Sequence, residues 1–268
     1  MLLGKAVRLE RIFNRNTRRT VIVPMDHGVT VGPIKGMHDF KGSVDRVAEG
    51  GANAVLMHKG MPRCTHRGYG KDIGLIVHLS ASTSLSPFPG AKTLVASVED
   101  AIKLGADGVS VHVNLGDERE RDMLADLGMV CSRAAEWGMP VLAMMYARGP
   151  HIVNEYDPAV VAHAARVAVE LGADVVKCAY TGDMESFARV VEACCVPVVI
   201  AGGPRLDDDA ALLTMAHDAC LAGCSGLSIG RNVFQHDRPE LLVKALSRVV
   251  HDEWDVERAL EVVRNGRS

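Results

Sequence analysis

The sequence predicts a closed parallel α/β barrel, an (β/α)8 TIM barrel, and three observations carry that expectation. They are eight short apolar runs, helical segments alternating with them, and a fourfold internal repeat. At 268 residues with 48% hydrophobic content, residues 1–268 read as one domain with no long linker. The runs are "TVIVPMDHG", "ANAVLMH", "IGLIVHLS", "DGVSVHVN", "PVLAMMYARG", "DVVKCAYTG", "PVVIAGGP" and "GLSIGRNVF". Each is too short for an independent helix and rich in Val and Ile. Near-continuous apolar character is what a parallel strand covered on both faces requires.

Along the chain, "MLLGKAVRLERIF" comes first, its charges breaking the apolar run that a signal peptide would need. Strand two is entered through "GGANAV" at Gly50, strand four through "LGADGV" at Leu104, strand six through "LGADVV" at Leu171 and strand eight through "AGCSGL" at Ala222. All four share one grammar: a helix ending at Gly, a small residue, a polar residue, then the strand. The glycine suits a left-handed C′ position. A copy before every second strand fits an eightfold barrel better than an open doubly wound sheet, the competing arrangement. Strands five and seven enter instead through proline, at "GMPVLAMM" and "CVPVVIAGG". The stretches "DERERDMLADLGMVCSRAAEWG" and "DPAVVAHAARVAVELG" read as amphipathic helices, and the tail from His251, "HDEWDVERALEVVR", as one extra C-terminal helix.

Thirty basic and 33 acidic residues leave a net charge of −3 without like-charge blocks, so neither a nucleic-acid groove nor an anionic membrane surface is indicated. Seven scattered cysteines, two of them adjacent at Cys194-Cys195, point to free thiols in a reducing compartment. No run approaches the roughly 18 apolar residues of a membrane span. A soluble cytoplasmic protein acting on small molecules is expected.

In such a barrel the chemistry sits at the C-terminal strand ends. The polar groups there are Asp26 and His27 after strand one, His58 and Lys59 after two, His78 and Ser80 in three, and His112 and Asn114 in four. Tyr146 and Arg148 follow five, Lys177 lies in six, Gly202 and Gly203 follow seven, and Gly230 and Arg231 follow eight. Lys177 is the most informative, because an ammonium within "VVKCAY" is costly to bury. Alternation puts Val175, Lys177 and Ala179 on one face, which is the interior if the smaller residues face inward. A desolvated amine has a lowered pKa and can attack a ketone to form a Schiff base. Pairing with a carboxylate or snorkelling out of the barrel is the competing reading. Tyr146 can protonate a departing hydroxyl and Asp26 can accept a proton, although alone they read as an interfacial core residue and a turn cap. "AGGP" and "IGRNVF" together suggest a phosphate site of backbone amides reinforced by Arg231. Against this stands a metal site built from His27, His58, His78 and His112, which lacks a His-x-His pair or a carboxylate run.

The segments "VPMDHG", "MMYARG", "VVKCAYTGD", "VIAGGP" and "SIGRNVFQ", in this order and spacing, resemble the class I aldolases. More narrowly, they resemble the family of archaeal-type fructose-bisphosphate aldolases and 2-amino-3,7-dideoxy-D-threo-hept-6-ulosonate synthases. The resemblance runs from "RLERIF" to the helix after strand eight. It implies Lys177 as Schiff-base lysine, Tyr146 as proton donor and Asp26 as proton acceptor. It implies substrate contacts at His27, Gly28, Val29, Thr30, Ala147, Arg148, Gly202, Gly203, Gly230 and Arg231, with neither cofactor nor metal. The implied substrates are a phosphorylated keto-sugar and an aldehyde, and the implied assembly is a homo-oligomer such as a decamer. The "MMY" context is more like the heptulosonate synthases, while Ala147 stands where proline is expected in "MMYPRG". Fructose-bisphosphate cleavage and addition of dihydroxyacetone phosphate to aspartate semialdehyde are the neighbouring activities. A metal-dependent barrel enzyme and a non-catalytic sugar-phosphate-binding barrel are the readings from other classes.

Overall fold

The computed structural model describes residues 2–65, 70–206 and 208–265. Eight parallel strands form a closed barrel: β1 (Thr20–Pro24), β2 (Ala54–His58), β3 (Gly74–His78), β4 (Gly108–Leu115), β5 (Val141–Ala147), β6 (Val175–Cys178), β7 (Val198–Ala201) and β8 (Gly226–Ser228). Closure is by β1, which pairs with β8 through Thr20↔Gly226 and Ile22↔Ser228 and with β2 through Ile22↔Ala54. The open sheet is thereby excluded. Helices including Phe40–Gly50, Glu120–Glu136, Pro158–Glu170, Met184–Glu192 and Asp209–Leu221 cover the outside.

Both strand faces are apolar for different reasons. Outward residues such as Val21, Val23, Val55, Val111, Val176 and Ile200 pack under the helices. Inward residues Ile22, Leu56, Ile76, Leu142, Met144, Val175 and Val199 form a separate cluster inside the barrel. The N-terminal helix Leu3–Ile12 closes the barrel floor, adding Leu9, Ile12 and Phe13 to that inner cluster. Above this apolar layer the interior gathers polar groups toward the C-terminal strand ends, among them His78, His112, Asn114, Tyr146 and Lys177, the end where a barrel's chemistry sits.

The repeat has a mechanical role. Its glycines Gly51, Gly105, Gly172 and Gly223 all have positive φ, between 74° and 104°, as the C′ position demands. Its polar residue clasps the start of the preceding strand. Asn53 Oδ1 accepts from Val21 N at 2.8 Å, Asp107 Oδ2 from Leu75 N at 2.9 Å and Asp174 Oδ2 from Val141 N at 3.0 Å. In the fourth copy the bond to the preceding strand is made by the backbone, with Ser225 N donating to Val198 O at 2.7 Å. Two clasps are also tied to the N-terminal helix, Lys5 to Asp174 at 2.9 Å and Arg11 to Asp107 at 2.6 Å.

Two features depart from expectation. The extra C-terminal helix spans Val256–Asn265, whereas His251 belongs to the preceding helix Pro239–Asp252; Glu253, at φ 56°, makes the break. Between β3 and β4 the chain also makes a two-stranded antiparallel ribbon, pairing Ser80↔Leu94 and Ala81↔Thr93.

Candidate active site

Lys177 lies on β6 with its neighbour Val175 in the inner cluster, while Val176 and Cys178 pack outward. The amine therefore faces the barrel interior, although not because the smaller residues line it. Ala179 leaves the expected alternation and packs with the outer cluster, since β6 ends at Cys178. Lys177 is only 6% exposed. Burial pulls its pKa down, Asp26 opposes that, and Arg148 and Arg231 add to the fall, leaving it at about 8. Roughly a tenth of the amine is then neutral at pH 7, so the snorkelling reading is replaced by a buried amine poised to deprotonate.

Asp26 stands at the N-cap position of the short helix His27–Val31, yet its side chain makes no capping bond. It turns toward the histidines instead: Oδ1 lies 3.7 Å from His27 Nδ1 and Oδ2 lies 3.8 Å from His78 Nε2. Burial pushes the carboxyl upward, but the attraction of His78, His27, Lys177 and His58 overcomes this and holds it well below the usual carboxylate range. His78 itself is lowered to about 4 by burial, against the pull of Asp26. At neutral pH the pocket therefore holds an ionised carboxylate among largely neutral imidazoles.

Tyr146 points inward from β5, its ring 5.1 Å from that of His112 and capped by the Arg148 guanidinium at 4.3 Å. Glu155 fixes Arg148 at 3.0 Å. Burial raises the phenol above its ordinary pKa, so the hydroxyl keeps its proton and can donate it. His112 is half-buried and held neutral by its surroundings, bonded through Nε2 to Asn114 Oδ1 at 2.9 Å. His78 Nδ1 is bonded to Ser110 Oγ at 2.7 Å. Among the described residues no three His, Cys, Asp or Glu side chains are grouped to hold a metal ion, so the four histidines do not form a ligand shell. Lys59 turns away to Asp100 at 3.2 Å.

A cleft of about 150 Å³ runs from Lys177 to the ends of β7 and β8, lined by His27, Tyr146, Arg148, Gly202, Gly203, Ser228, Gly230 and Arg231 among others. It opens beside a larger hollow of about 410 Å³ that shares Tyr146, Arg148, Gly202 and Gly203. Gly28, Val29, Thr30 and Ala147 lie outside the cleft lining. The first three sit in the helix after β1, and Ala147 is buried on the strand position following Tyr146.

The glycines are needed for packing as well as for amide access. A Cβ on Gly202 would meet Ile229 Cγ2 at 2.6 Å, and one on Gly230 would meet the Pro24 carbonyl oxygen at 2.6 Å. Asn232, unrecognised from sequence, staples the two loops together. Its Nδ2 donates to Gly202 O at 2.9 Å and Pro204 O at 3.2 Å, and its Oδ1 accepts from Leu206 N at 2.7 Å. Arg231 donates to Gly203 O at 3.0 Å across the same gap. Ser228, also missed, presents a buried hydroxyl with no hydrogen-bond partner beside Lys177 in the cleft. The available signal was its place, a hydroxyl in the eighth apolar run at the C-terminal end of β8.

Residues 20–236 match the model of the DeoC/LacD family of aldolases. The chain belongs to this family. A 2-amino-3,7-dideoxy-D-threo-hept-6-ulosonate synthase of Halobacterium salinarum is 47% identical over 257 residues, covering 96% of this chain and 95% of that protein. A 2-amino-4,5-dihydroxy-6-oxo-7-(phosphonooxy)heptanoate synthase of Streptomyces griseus is 44% identical over 249 residues, covering 93% and 91%. Among solved structures, an archaeal fructose-1,6-bisphosphate aldolase superimposes with a TM-score of 0.84 at 30% identity, covering 92% of this chain and 99% of that one. It was solved with its catalytic lysine covalently bound to the carbinolamine intermediate of its substrate. This DeoC/LacD aldolase is thus an enzyme whose relatives are synthases and lysine-dependent aldolases over nearly the whole barrel.

Proposed function

We propose that the protein is a Schiff-base aldolase that makes a seven-carbon 2-amino-6-keto acid, as a 2-amino-3,7-dideoxy-D-threo-hept-6-ulosonate synthase. The observation that carries this reading is Lys177, buried at the barrel mouth with its pKa at about 8 beside the ionised Asp26. The names of both relatives describe the same kind of product, a seven-carbon 2-amino acid with a keto group at carbon six.

The chemistry follows from these positions. Neutral Lys177 adds to the 5-keto carbon of 6-deoxy-5-ketofructose 1-phosphate, and Tyr146 protonates the carbinolamine hydroxyl as it leaves as water. The iminium accepts the electron pair of the C3–C4 bond while Asp26 takes the C3 hydroxyl proton. Hydroxypyruvaldehyde phosphate departs, leaving a hydroxyacetone enamine on Lys177. Attack of the enamine on the aldehyde of L-aspartate semialdehyde, with the proton returned to the new alkoxide, builds the seven-carbon chain, and hydrolysis frees it. Gly202, Gly203, Gly230 and Arg231 supply the phosphate grip, and the orphaned Ser228 hydroxyl is placed to meet a donor oxygen.

One observation favours a second reading. Arg231 and Lys177 line the same small cleft, which suits a donor whose phosphate is one carbon from the iminium carbon, as in dihydroxyacetone phosphate. The product would then keep its phosphate, as the Streptomyces griseus relative's name describes.

A donor and acceptor panel tests both readings. Aspartate semialdehyde with the deoxyketohexose phosphate should give a product lacking phosphorus, and with dihydroxyacetone phosphate a phosphorylated one. Borohydride added with the true donor should inactivate the enzyme and place the reduced adduct on the Lys177 peptide. Adduct formation at another residue, or full activity after reduction, would sink the mechanism.

A further inference from the structure

The mouth of the barrel carries cations on opposite sides. Arg231 acts electrostatically on Lys177, His27 and Tyr146, on the side of the phosphate loops. Lys92 acts on His58, His78 and His112, the residues that end or line β2, β3 and β4. Asp26 lies between them and is felt by both Lys92 and Lys177. In the synthase reading the donor phosphate is gripped on the Arg231 side, which leaves the Lys92 side for the other substrate.

Lys92 is placed there by the ribbon between β3 and β4. The pairs Ser80↔Leu94 and Ala81↔Thr93 bring Ser82 and Lys92 face to face as the next rung. Ser82 Oγ donates to Pro89 O at 2.7 Å, and so its lone pair is available to accept from Lys92 Nζ at 2.6 Å. The excursion is held against β4 by Asn114 Nδ2, which donates to Gly90 O at 2.6 Å. One of the three ammonium donors is engaged by a neutral hydroxyl. No salt bridge joins Lys92 to a carboxylate among the described residues, in contrast to Arg148, which is neutralised by Glu155. A partly buried cation that makes no direct ion pair, on a ribbon tied through Gly90 to Asn114 and through Asn114 to His112 beside the Tyr146 ring, is suited to a charged substrate end.

We propose that Lys92, held by Ser82, is the residue that selects the acceptor, binding the carboxylate of a short amino-acid aldehyde while its carbonyl end meets the enamine on Lys177. The proposal rests on the synthase reading above and deepens it. Phosphate on a sugar aldehyde is the other anion this cation could take, and the test separates the two.

The parent enzyme and Lys92→Met are compared with L-aspartate semialdehyde, glyceraldehyde 3-phosphate and uncharged glyceraldehyde as acceptors. Loss of one charge-assisted contact should raise KM for aspartate semialdehyde roughly tenfold or more, while KM for glyceraldehyde moves less than about twofold. Lys92→Arg, keeping the charge, should recover much of the loss. Equal changes for the charged carboxylate and neutral acceptors, or a rise for glyceraldehyde 3-phosphate alone, would overturn the assignment. If the parent enzyme does not turn over aspartate semialdehyde with any donor, the synthase reading itself fails and this proposal with it. If the parent does and Lys92→Met uses it equally well, only the acceptor assignment falls.

Discussion

An ammonium at Lys177 is a functional group and a structural burden at once, and one titration reads both. Its pKa drops from 10.5 to about 8 on folding, chiefly through burial. Between those values the unfolded chain binds the extra proton, so stability rises with pH across that window, and below about 8 the burial penalty is fully present. Lys177→Met should therefore be more stable than the parent at pH 7 by roughly 1–3 kcal/mol, with the advantage shrinking from about pH 8 upward. In the parent, kcat/KM for the donor should climb through about pH 8 as the attacking amine loses its proton. Urea midpoints at several pH values and a pH–rate profile check both. A variant no more stable than the parent at pH 7, or a flat profile between pH 7 and 9, would show that the amine is not held down by its surroundings. At this scale the sequence disclosed Lys177, Tyr146 and Asp26, because a charge or phenol inside an apolar run stands out. It concealed Asn232 and Ser228, because an Asn or Ser near a strand end is ordinary and its importance depends on which loop lies opposite.

At the scale of elements, the four repeat copies show why the barrel was legible. Each combines a left-handed glycine with a polar residue one strand-start away from its neighbour, and three of them close a side-chain clasp. Asp174 serves the Val141 amide and the Lys5 ammonium together. Asp174→Ala should lower stability by roughly 2–4 kcal/mol, since it leaves a backbone donor and a mostly buried cation unpaired. Asp174→Asn, which keeps the acceptor, should lose less. Chemical denaturation of the two variants decides it, and equal losses would mean that the backbone clasp contributes nothing. Elsewhere local signals were misleading or absent. The break between the last two helices falls at Glu253, a residue that carries no stop signal, so the sequence pattern ran straight through it from His251. The ribbon of Ser80–Ala81 and Thr93–Leu94 has two residues per strand, too few for a period to emerge.

Taken whole, the molecule is polarised along the barrel axis. One end is stopped by the helix Leu3–Ile12 and its apolar residues, and the other gathers Lys177, Arg231 and Lys92 around the mouth of a protein whose net charge is −3. A local positive field on an otherwise slightly acidic surface draws in anionic substrates. Raising ionic strength from about 0.01 to 0.15 M, which shortens the screening length from roughly 30 to 8 Å, should reduce kcat/KM for the phosphorylated donor while leaving kcat nearly constant. Stopped-flow and steady-state rates at several salt concentrations would show it, and a parallel fall in kcat would point to damage at the chemistry instead of slower capture. The ribbon between β3 and β4 adds a consequence of its own. Its two rungs fix the base of the excursion, and the Asn232 staple that unites the β7 and β8 loops does not touch it. The excursion from Ser82 to Lys92 is latched to Asn114 through Gly90 O at 2.6 Å and to the helix after Asp26 through Ser84 N, which donates to Thr30 O at 2.8 Å. On the acceptor proposal above, its sequence can therefore be rewritten with the donor chemistry intact only where those two anchors are kept.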